Sequence, residues 1–460
     1  MVVWSARVPI MSDGTSYDAL HAEPATVDER LTAPEFLVGA APEEVGALLD
    51  RASGSRALSA AAVYRASAHL HRDATADVRR QLLALDAARF GDRDLSARII
   101  ATPVAGAPAA RWRVDWATGS RLDHRSGRAM TGHAGSVRSV ASAVVDGRTV
   151  VVTSGDDGTV RVWDAVTGEQ VGEPLIEHGS RVRAVATAVV DGRALAVSGG
   201  DDGTVRRWDL ATGEQVGEPL VGMVRQFDLV THKQIGWTKH GDGPGSEVRA
   251  VATTVVDGRP LAVGCTQWWV WVWDLVTGEQ VGEPWWTERD DGLGWVWSMA
   301  TTVVDGRPLA VTGSDDGTVR LWDVATGEQI GEPLVGAEWE GVAPGETGVA
   351  TLVVDGRTLA ISGGDDWAVR VWDVAAGEQV GEPLTGHDDR IWAGAALVVD
   401  GRTLAVTGSE DKTVRLWDLA TREQVGSPLV FPLPVRALAV APGGRLEVGF
   451  GSEVAALSWR

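Results

Sequence analysis

The chain has 460 residues, a net charge of -21 and a hydrophobic content of 44%, which is the composition of a soluble globular protein. No apolar run approaches the roughly 18 residues of a membrane span, no secretory signal opens the chain, and the acidic balance disfavours nucleic acid and anionic lipid. The single cysteine, Cys265, excludes an internal disulfide and a cysteine-based metal site. We therefore expect a cytoplasmic protein with no membrane or nucleic-acid partner.

The first hundred residues have a different character from the rest of the chain. Residues 1–38 lack apolar periodicity and mix Pro, Ser, Asp and Glu, which predicts disorder or loose packing. Residues 39–100 predict a short α-helical region, with Pro42 at a first helical position and further helices at about 56–71 and 75–90. Helices this short bury little surface alone, so we expect them to pack on the remainder of the chain. They could equally be the remnant of a larger effector module.

From about residue 109 the chain repeats one unit. Each unit runs through an apolar segment (137–145 in the first), an Asp-Gly turn at 146–147, a second apolar segment and a second turn before Trp163. Asp-Gly between strand-like runs is a strong hairpin signal. A Trp-Asp pair closes each unit, at 163–164, 208–209, 273–274, 322–323, 372–373 and 417–418. Five spacings of 45 to 65 residues predict four-stranded propeller blades.

These repeats resemble the WD-repeat β-propeller family over residues 109–460. The family's structural tetrad of His, Ser or Thr, Asp and Trp occurs complete in three repeats, with the same His-to-Asp spacing in each. Its members here are His133, Thr153, Asp157 and Trp163; His178, Ser198, Asp202 and Trp208; and His387, Thr407, Asp411 and Trp417. The resemblance implies an all-β propeller. Arginine in place of lysine and an Ala, Val and Gly excess suggest a high-GC bacterial genome of actinobacterial type.

Six full repeats leave the ring one blade short of seven. Residues 435–458 predict three more strands, and residues 114–122 match the fourth strand of other repeats. We therefore predict a seven-bladed propeller closed by N- and C-terminal strands, which leaves no open sheet edge. The long 65-residue spacing contains a hairpin-like insertion at about 222–245. An eight-bladed ring is the alternative.

The sequence carries no motif for catalysis or cofactor binding: it lacks a nucleophile elbow, a Walker loop, a dinucleotide fingerprint and an H-E-x-x-H pair. We predict no catalytic residue, no metal and no cofactor. The repeated His, Ser/Thr and Asp have the composition of a hydrolase triad. Because the same trio recurs in several blades beside a Trp, we interpret it as a structural network.

Tryptophan is concentrated in one part of the repeats, with eight of the 21 between residues 268 and 297. Trp269 and Trp271 share a strand face with Trp273, which predicts packing between blades. Other tryptophans and arginines fall at turn tips and first-strand starts, on the face that the resemblance implies for partner binding. The candidate partner-binding residues are Trp268, Trp295, Trp297, Trp392, Arg181, Arg183 and Arg390. Exposed aromatic patches usually mark interaction sites.

The sequence thus predicts a monomeric, non-catalytic scaffold that binds a protein or peptide partner. Two alternatives stay open. One is a propeller hydrolase with carboxylates and His in the central channel, and the other is a lectin-like propeller whose aromatics bind a glycan or small ligand.

Overall fold

The described residues of the computed structural model are 25–119, 132–227, 234–239, 246–287, 295–335, 348–354 and 356–459. They form a seven-bladed β-propeller with a small helical region before it, which confirms the predicted fold class. Among these residues no helix has the length and apolar character to cross a membrane.

Seven short helices make up the helical region. They are α1 (Val27–Thr32), α2 (Pro34–Gly39), α3 (Pro42–Leu49), α4 (Ser55–Ala66), α5 (Ala68–His71), α6 (Ala76–Arg89) and α7 (Arg93–Ala101). They share a core of their own, which includes Leu37, Val63 and Ile99, all fully buried.

The expectation of disorder or loose packing for residues 1–38 is wrong for residues 27–38, which form α1 and most of α2. The remainder of that expectation, residues 1–24, lies outside the described residues. Two six-residue helices are too short to show a 3.6-residue period. The overlooked signal is a capping box: Thr26 Oγ1 accepts a bond from the Glu29 N–H, and the Glu29 carboxylate accepts one from the Thr26 N–H.

The blades follow one another along the chain, each an antiparallel sheet, and the first strands of neighbouring blades contact one another. Blades 1 to 3 contain β2 (Val137–Val145), β3 (Arg148–Gly155) and β4 (Val160–Asp164); β5 (Val182–Val190), β6 (Arg193–Gly200), β7 (Thr204–Asp209) and β8 (Leu220–Val221); and β11 (Ala250–Val256), β12 (Arg259–Cys265), β13 (Trp269–Asp274) and β14 (Trp285–Trp286). Between blades 2 and 3, β9 (Met223–Phe227) pairs with β10 (Gln234–Lys239) as a separate two-stranded sheet within the predicted insertion.

The remaining blades have four strands each. Blades 4 to 6 contain β15 (Val296–Val304), β16 (Arg307–Ser314), β17 (Thr318–Asp323) and β18 (Gln329–Val335); β19 (Gly348–Val354), β20 (Arg357–Gly363), β21 (Val369–Asp373) and β22 (Glu378–Gln379); and β23 (Ile391–Val399), β24 (Arg402–Ser409), β25 (Thr413–Asp418) and β26 (Leu429–Val430). Blade 7 contains β27 (Val435–Ala441), β28 (Arg445–Phe450), β29 (Glu453–Trp459) and β1 (Trp112–Ala117).

Strand β1 closes the ring by pairing with β29. The two strands run antiparallel with Val114 opposite Leu457. The Trp116 side chain is fully buried, and its indole N–H donates to the Ala165 carbonyl of blade 1 at 2.9 Å. The Arg445 guanidinium donates to Asp115 at 3.0 Å. Both chain ends therefore complete the same blade, as the sequence predicted.

The helical region is fastened to this same blade by a buried ion-pair network. The Arg89 guanidinium lies 2.6 Å from Asp86 on its own helix and 2.7 Å from Glu453 of β29. All three side chains are buried. The Gln81 side chain accepts a bond from the Val430 N–H of blade 6 at 3.0 Å. Removing one partner of such a buried pair would leave an uncompensated charge. The ion pairs therefore fix the position at which the helical region packs on blade 7.

Hydroxyl groups tie the first strands of successive blades together. Each Thr hydroxyl donates to a backbone carbonyl of the preceding blade at 2.7 to 2.9 Å. The donors are Thr187, Thr253, Thr301 and Thr351. Blade 6 has Ala396 at the corresponding position and blade 7 has Val440, so the series stops before the closing blade.

Removal of residues 1–118 should open the ring. The truncated chain loses β1 and the helical region, so β29 is left as an unpaired edge beside exposed apolar surface. We expect self-association in light scattering and a lower melting temperature. Deletion of residues 1–24 alone keeps β1 and should leave the association state and the melting temperature unchanged. A monomeric 119–460 fragment with the melting temperature of the full chain would contradict this account of closure.

Blade 7 also contains an unusual buried carboxyl group. Glu447 lies on β28 and is fully buried, and within the described residues its carboxyl oxygens make no hydrogen bond. Its neighbour Gly449, on the same face of the strand, lies against Val137 and Val140 of blade 1. Burial raises the pKa of Glu447 to about 8. The side chain is therefore protonated in the folded protein at neutral pH.

Glu447→Gln should make the protein more stable in alkali. The folded protein keeps this proton up to about pH 8, whereas the unfolded chain loses it near 4.5. Stability is therefore lost as pH rises through that window, by roughly 1.4 kcal/mol per pH unit. In urea unfolding, the variant should have a larger free energy of unfolding than the parent at pH 8.5 and nearly the same value at pH 5. Glu169→Gln, at an exposed site, is the control. A pH-independent difference would disprove the assignment.

Candidate partner-binding face

The three complete tetrads form the hydrogen-bonded network that the resemblance implies. In blade 1, the His133 ring bonds to Asp157 at 2.9 Å and to Thr153 at 2.7 Å, and the Trp163 indole donates to Thr153 at 2.8 Å. The same contacts, within 0.2 Å, recur in blades 2 and 6. Within the described residues, blades 4 and 5 keep the Trp-to-hydroxyl bond of the tetrad, from Trp322 to Thr312 and from Trp372 to Ser362.

The tetrad carboxylates are held ionised. Burial alone would raise the pKa of Asp157, but the bonds from His133 and from the Ala134 N–H outweigh it and hold the pKa far below its usual range. The same balance of burial and a His387 bond lowers the pKa of Asp411. Each His is thus fixed between a carboxylate and a hydroxyl, an arrangement that links the first strand to the second and third strands of its blade.

One face of the ring is formed by the turns between second and third strands and by the starts of the first strands. We call it the upper face. Within a blade these two parts are joined, because the turn N–H bonds to the strand start, as in Asp201 to Arg181 and Asp315 to Trp295. The candidate residues from the sequence all lie in these two parts of the blades.

The arginines of the upper face are already paired with turn carboxylates. Arg390 reaches back to Asp365 of the preceding blade at 3.1 Å, and Arg181 approaches Asp156 of the preceding blade at 4.0 Å. Arg183 bonds to Asp201 of its own blade. Of the three predicted arginines, Arg181 and Arg390 keep about half of their side-chain surface exposed. A partner carboxylate would have to compete with these existing pairs.

Trp392 takes the place of such an arginine. It stands two residues after Arg390, as Arg183 stands after Arg181, and its indole N–H donates to the turn carboxylate Glu410 at 2.8 Å. The guanidinium of Arg436 lies 5.2 Å from its ring. The side chain is half-buried. The indole therefore helps to hold the turn, in addition to any contact it makes with a partner.

Blades 3 and 4 meet in an aromatic cluster. The Arg249 guanidinium lies 3.9 Å from the Trp297 ring centroid and 5.9 Å from that of Trp295. Trp297 and Trp268 are half-buried, whereas Trp295 is 37% exposed. The Trp268 carbonyl accepts two bonds from Thr287, which fixes the turn. The structure thus brings three of the four predicted tryptophans to one boundary and leaves Trp295 the most accessible.

Trp269 and Trp271 pack beside Trp273, as the sequence predicted. Trp271 and Trp273 are buried and stack with ring centroids 6.2 Å apart, and Trp269 continues the stack at 6.3 Å. Gly264 replaces the tetrad Thr, so within the described residues the Trp273 indole N–H has no hydrogen-bond partner. Stacked rings substitute for the missing tetrad of this blade.

Trp367 is an accessible tryptophan of the upper face that the candidate set left out. It replaces the Gly of the Asp-Asp-Gly turn and has φ of 62°, a left-handed conformation that is costly for a side chain of this size. It is 49% exposed. The turn beside it is acidic: burial raises the pKa of Asp365, and the Asp366 and Asp389 charges act in the same direction. The sequence GDDW contained the signal.

Among the described residues, no group of three His, Cys, Asp or Glu side chains could hold a metal ion. The Cys265 thiol is buried, and burial raises its pKa to about 12, which keeps it protonated and unreactive.

These features define a seven-bladed repeat propeller with tetrad-bonded blades and an aromatic face. The family model "WD domain, G-beta repeat" matches residues 125–164, 168–209, 290–323 and 377–418. The chain therefore carries WD40 repeats, which the structure arranges as a seven-bladed β-propeller. Blade 3, with its Trp-rich third strand, and the first three strands of blade 5, with Trp367, fall outside the matched ranges.

A solved structure supports the same fold. The WD40 β-propeller domain of Doa1 superposes with a TM-score of 0.54 and 19% sequence identity, covering 76% of this chain and 97% of that one. A search of curated proteins finds no match.

Replacing Trp367 by Gly should stabilise the protein. Gly adopts a left-handed φ without steric cost. We expect the relief of this strain to outweigh the lost contacts of the half-exposed indole and to raise the free energy of unfolding by about 1 kcal/mol. Lys412→Gly is the matched control, because Lys412 occupies the same turn position of blade 6 with φ of 69°. In urea unfolding, the free energy of unfolding should rise by a similar amount in both variants. A loss of stability in Trp367→Gly alone would show that the indole is a packing residue.

Proposed function

We propose that this protein is a non-catalytic interaction platform that binds a protein or peptide partner on the upper face of blades 3 to 6. Trp295 and Trp367 provide the primary contacts. Trp268, Trp297 and Trp392 form the layer beneath and beside them, and Arg181, Arg183 and Arg390 border the surface.

Trp367 is the observation that carries the proposal. A large apolar side chain is kept in a backbone conformation that three sister turns reserve for Gly158, Gly203 and Gly317. Half of its surface faces solvent, where a partner can reach it. Residues held in strained backbone conformations cluster at ligand-binding sites. Among the described residues, Trp295 on the adjacent blade is also a large aromatic with an exposed ring.

The expected partner presents apolar groups to the two indoles. Trp supplies large contact area at low entropic cost, and its N–H can still donate a hydrogen bond. Because the bordering arginines already pair with turn carboxylates, they orient the partner more than they anchor it. The chain's charge of -21 favours association with a partner that is basic outside the contact.

The channel hydrolase and the lectin-like propeller have no specific observation in their favour. Every His of a complete tetrad is already bonded to an Asp and a hydroxyl. Both alternatives therefore enter only as outcomes of the binding experiment below.

Trp295→Ala should weaken partner binding by roughly 2 kcal/mol or more, about thirty-fold in Kd, with a stability change of about 1 kcal/mol or less. The partner is first captured with a photo-crosslinking amino acid at position 390, on the border of the surface, and its Kd is then measured by calorimetry. Trp367→Gly should also weaken binding while it raises stability.

Lys412→Gly controls for the change in turn backbone and should leave the Kd unchanged. Unaltered binding by both tryptophan variants would refute the proposed surface. Specific capture of a glycan, or turnover of a substrate in a hydrolase panel, would favour one of the alternatives instead.

A further inference from the structure

A recess lies on the outer edge of the ring, between blades 1 and 2. It is a cavity of about 600 Å³ whose lining includes Val162, Leu175, Trp208 and Leu210. The residues after the Trp208-Asp209 pair form one wall, at the strand end opposite the second-to-third-strand turns. The recess is therefore separate from the upper face, and its role does not depend on the function proposed there.

The equivalent boundary is plugged at three other places in the ring. A turn Gly of blades 1 to 5 faces the preceding blade, and a bulky side chain lies directly against three of these glycines: Trp116 against Gly168, Arg207 against Gly278 and Trp285 against Gly327. Between blades 4 and 5 the side-chain atom nearest to the Cβ position on Gly377 belongs to Leu334, at 4.0 Å, so that boundary has no such plug either. The Trp285 indole lies 2.2 Å from where a Cβ atom on Gly327 would stand. At the boundary of blades 1 and 2, the nearest side-chain atom to that position on Gly213 belongs to Leu175, at 3.7 Å.

The outer segment of blade 1 pairs with β4 at two places, Val160 with Leu175 and Trp163 with Gln170. Backbone hydrogen bonds of 2.8 to 3.0 Å hold it there. Two apolar side chains of this segment face solvent, Ile176 at 65% and Val171 at 44% exposure. The recess thus has an apolar floor and an apolar flank beside an ordered outer segment.

The rim of the recess carries one sign of charge. Glu173, Glu177 and Glu214 line it and are exposed, and no basic side chain is among its lining residues in the described part of the chain. An apolar occupant with positive charges at its ends would satisfy both floor and rim. An acidic occupant would be repelled by three carboxylates.

We infer that this recess binds a short extended segment of a partner protein, with an aliphatic side chain on the floor beside Leu175 and lysine or arginine at the glutamate rim. The segment lies along the outer strand of blade 1, where Ile176 and Val171 extend the apolar contact. This gives the ring a second binding site, on a different surface from the aromatic face.

The test uses a variant that the chain itself suggests. Leu175→Trp reproduces blade 3, where Glu283-Pro284-Trp285 replaces the Glu173-Pro174-Leu175 of blade 1. The new indole should fill the recess against Gly213 as Trp285 fills its own boundary against Gly327. Leu334→Trp is the matched control, because Leu334 faces Gly377 in the same way between blades 4 and 5.

A displayed library of random heptapeptides is selected on the wild-type protein and counter-selected on Leu175→Trp. We expect enrichment of aliphatic residues next to Lys or Arg. In fluorescence anisotropy, the enriched peptides should bind Leu175→Trp at least tenfold more weakly and Leu334→Trp within twofold of wild type. Glu173→Gln with Glu177→Gln should weaken binding about threefold or more, and melting curves check that all variants fold.

Failure to enrich any peptide sensitive to Leu175→Trp would overturn the inference, as would enrichment of acidic peptides. Peptides lost on Trp295→Ala but retained on Leu175→Trp would belong to the upper face and would count against this recess.

Discussion

Each blade of the ring covers one face of its sheet with the preceding blade and the other with the following blade, so a missing blade edge would expose two apolar surfaces at once. The ring must therefore be closed at blade 7, whose sheet combines strand β1 from before the repeats with the last three strands of the chain. Pairing of β1 with β29 closes it. The contact of Trp116 with Ala165 extends the closure into blade 1, and the Arg89–Glu453 pair extends it into the helical region. The tetrads, turns and upper face are positioned only because this ring is closed.

The repeat made most of the fold predictable from the sequence. Strand order, the Asp-Gly turns and the origin of the closing strand all follow from a periodic pattern, and periodic patterns average out local ambiguity. The short helices of residues 27–38 escaped prediction because a six-residue helix has no period to detect, and only the Thr26–Glu29 cap identifies the first of them. Contacts between the helical region and blade 7, such as Arg89 with Glu453, 364 residues apart in the sequence, leave no local signal.

The candidate site was predictable in position but not in detail. Substitution of Trp into a repeated turn or strand start shows which blades diverge, and the structure places these residues on one face. Which of them are accessible depends on neighbours from adjacent blades: Arg249 covers Trp297, and Glu410 binds Trp392. The sequence could not show that Arg183 and Arg390 already have carboxylate partners, because the pairing crosses turns and, for Arg390, a blade boundary.

Ring closure also sets the order of events during synthesis. Asp115 of β1 and Ser458 of β29 are 343 residues apart, so the ribosome makes the first closing strand long before its partner exists. At about 5–20 residues per second, roughly 17 to 70 seconds separate the two. The helical region has its own core and can fold in that interval, with β1 directly behind it. The folded helical region would thus hold β1 in place during synthesis until the last blade emerges.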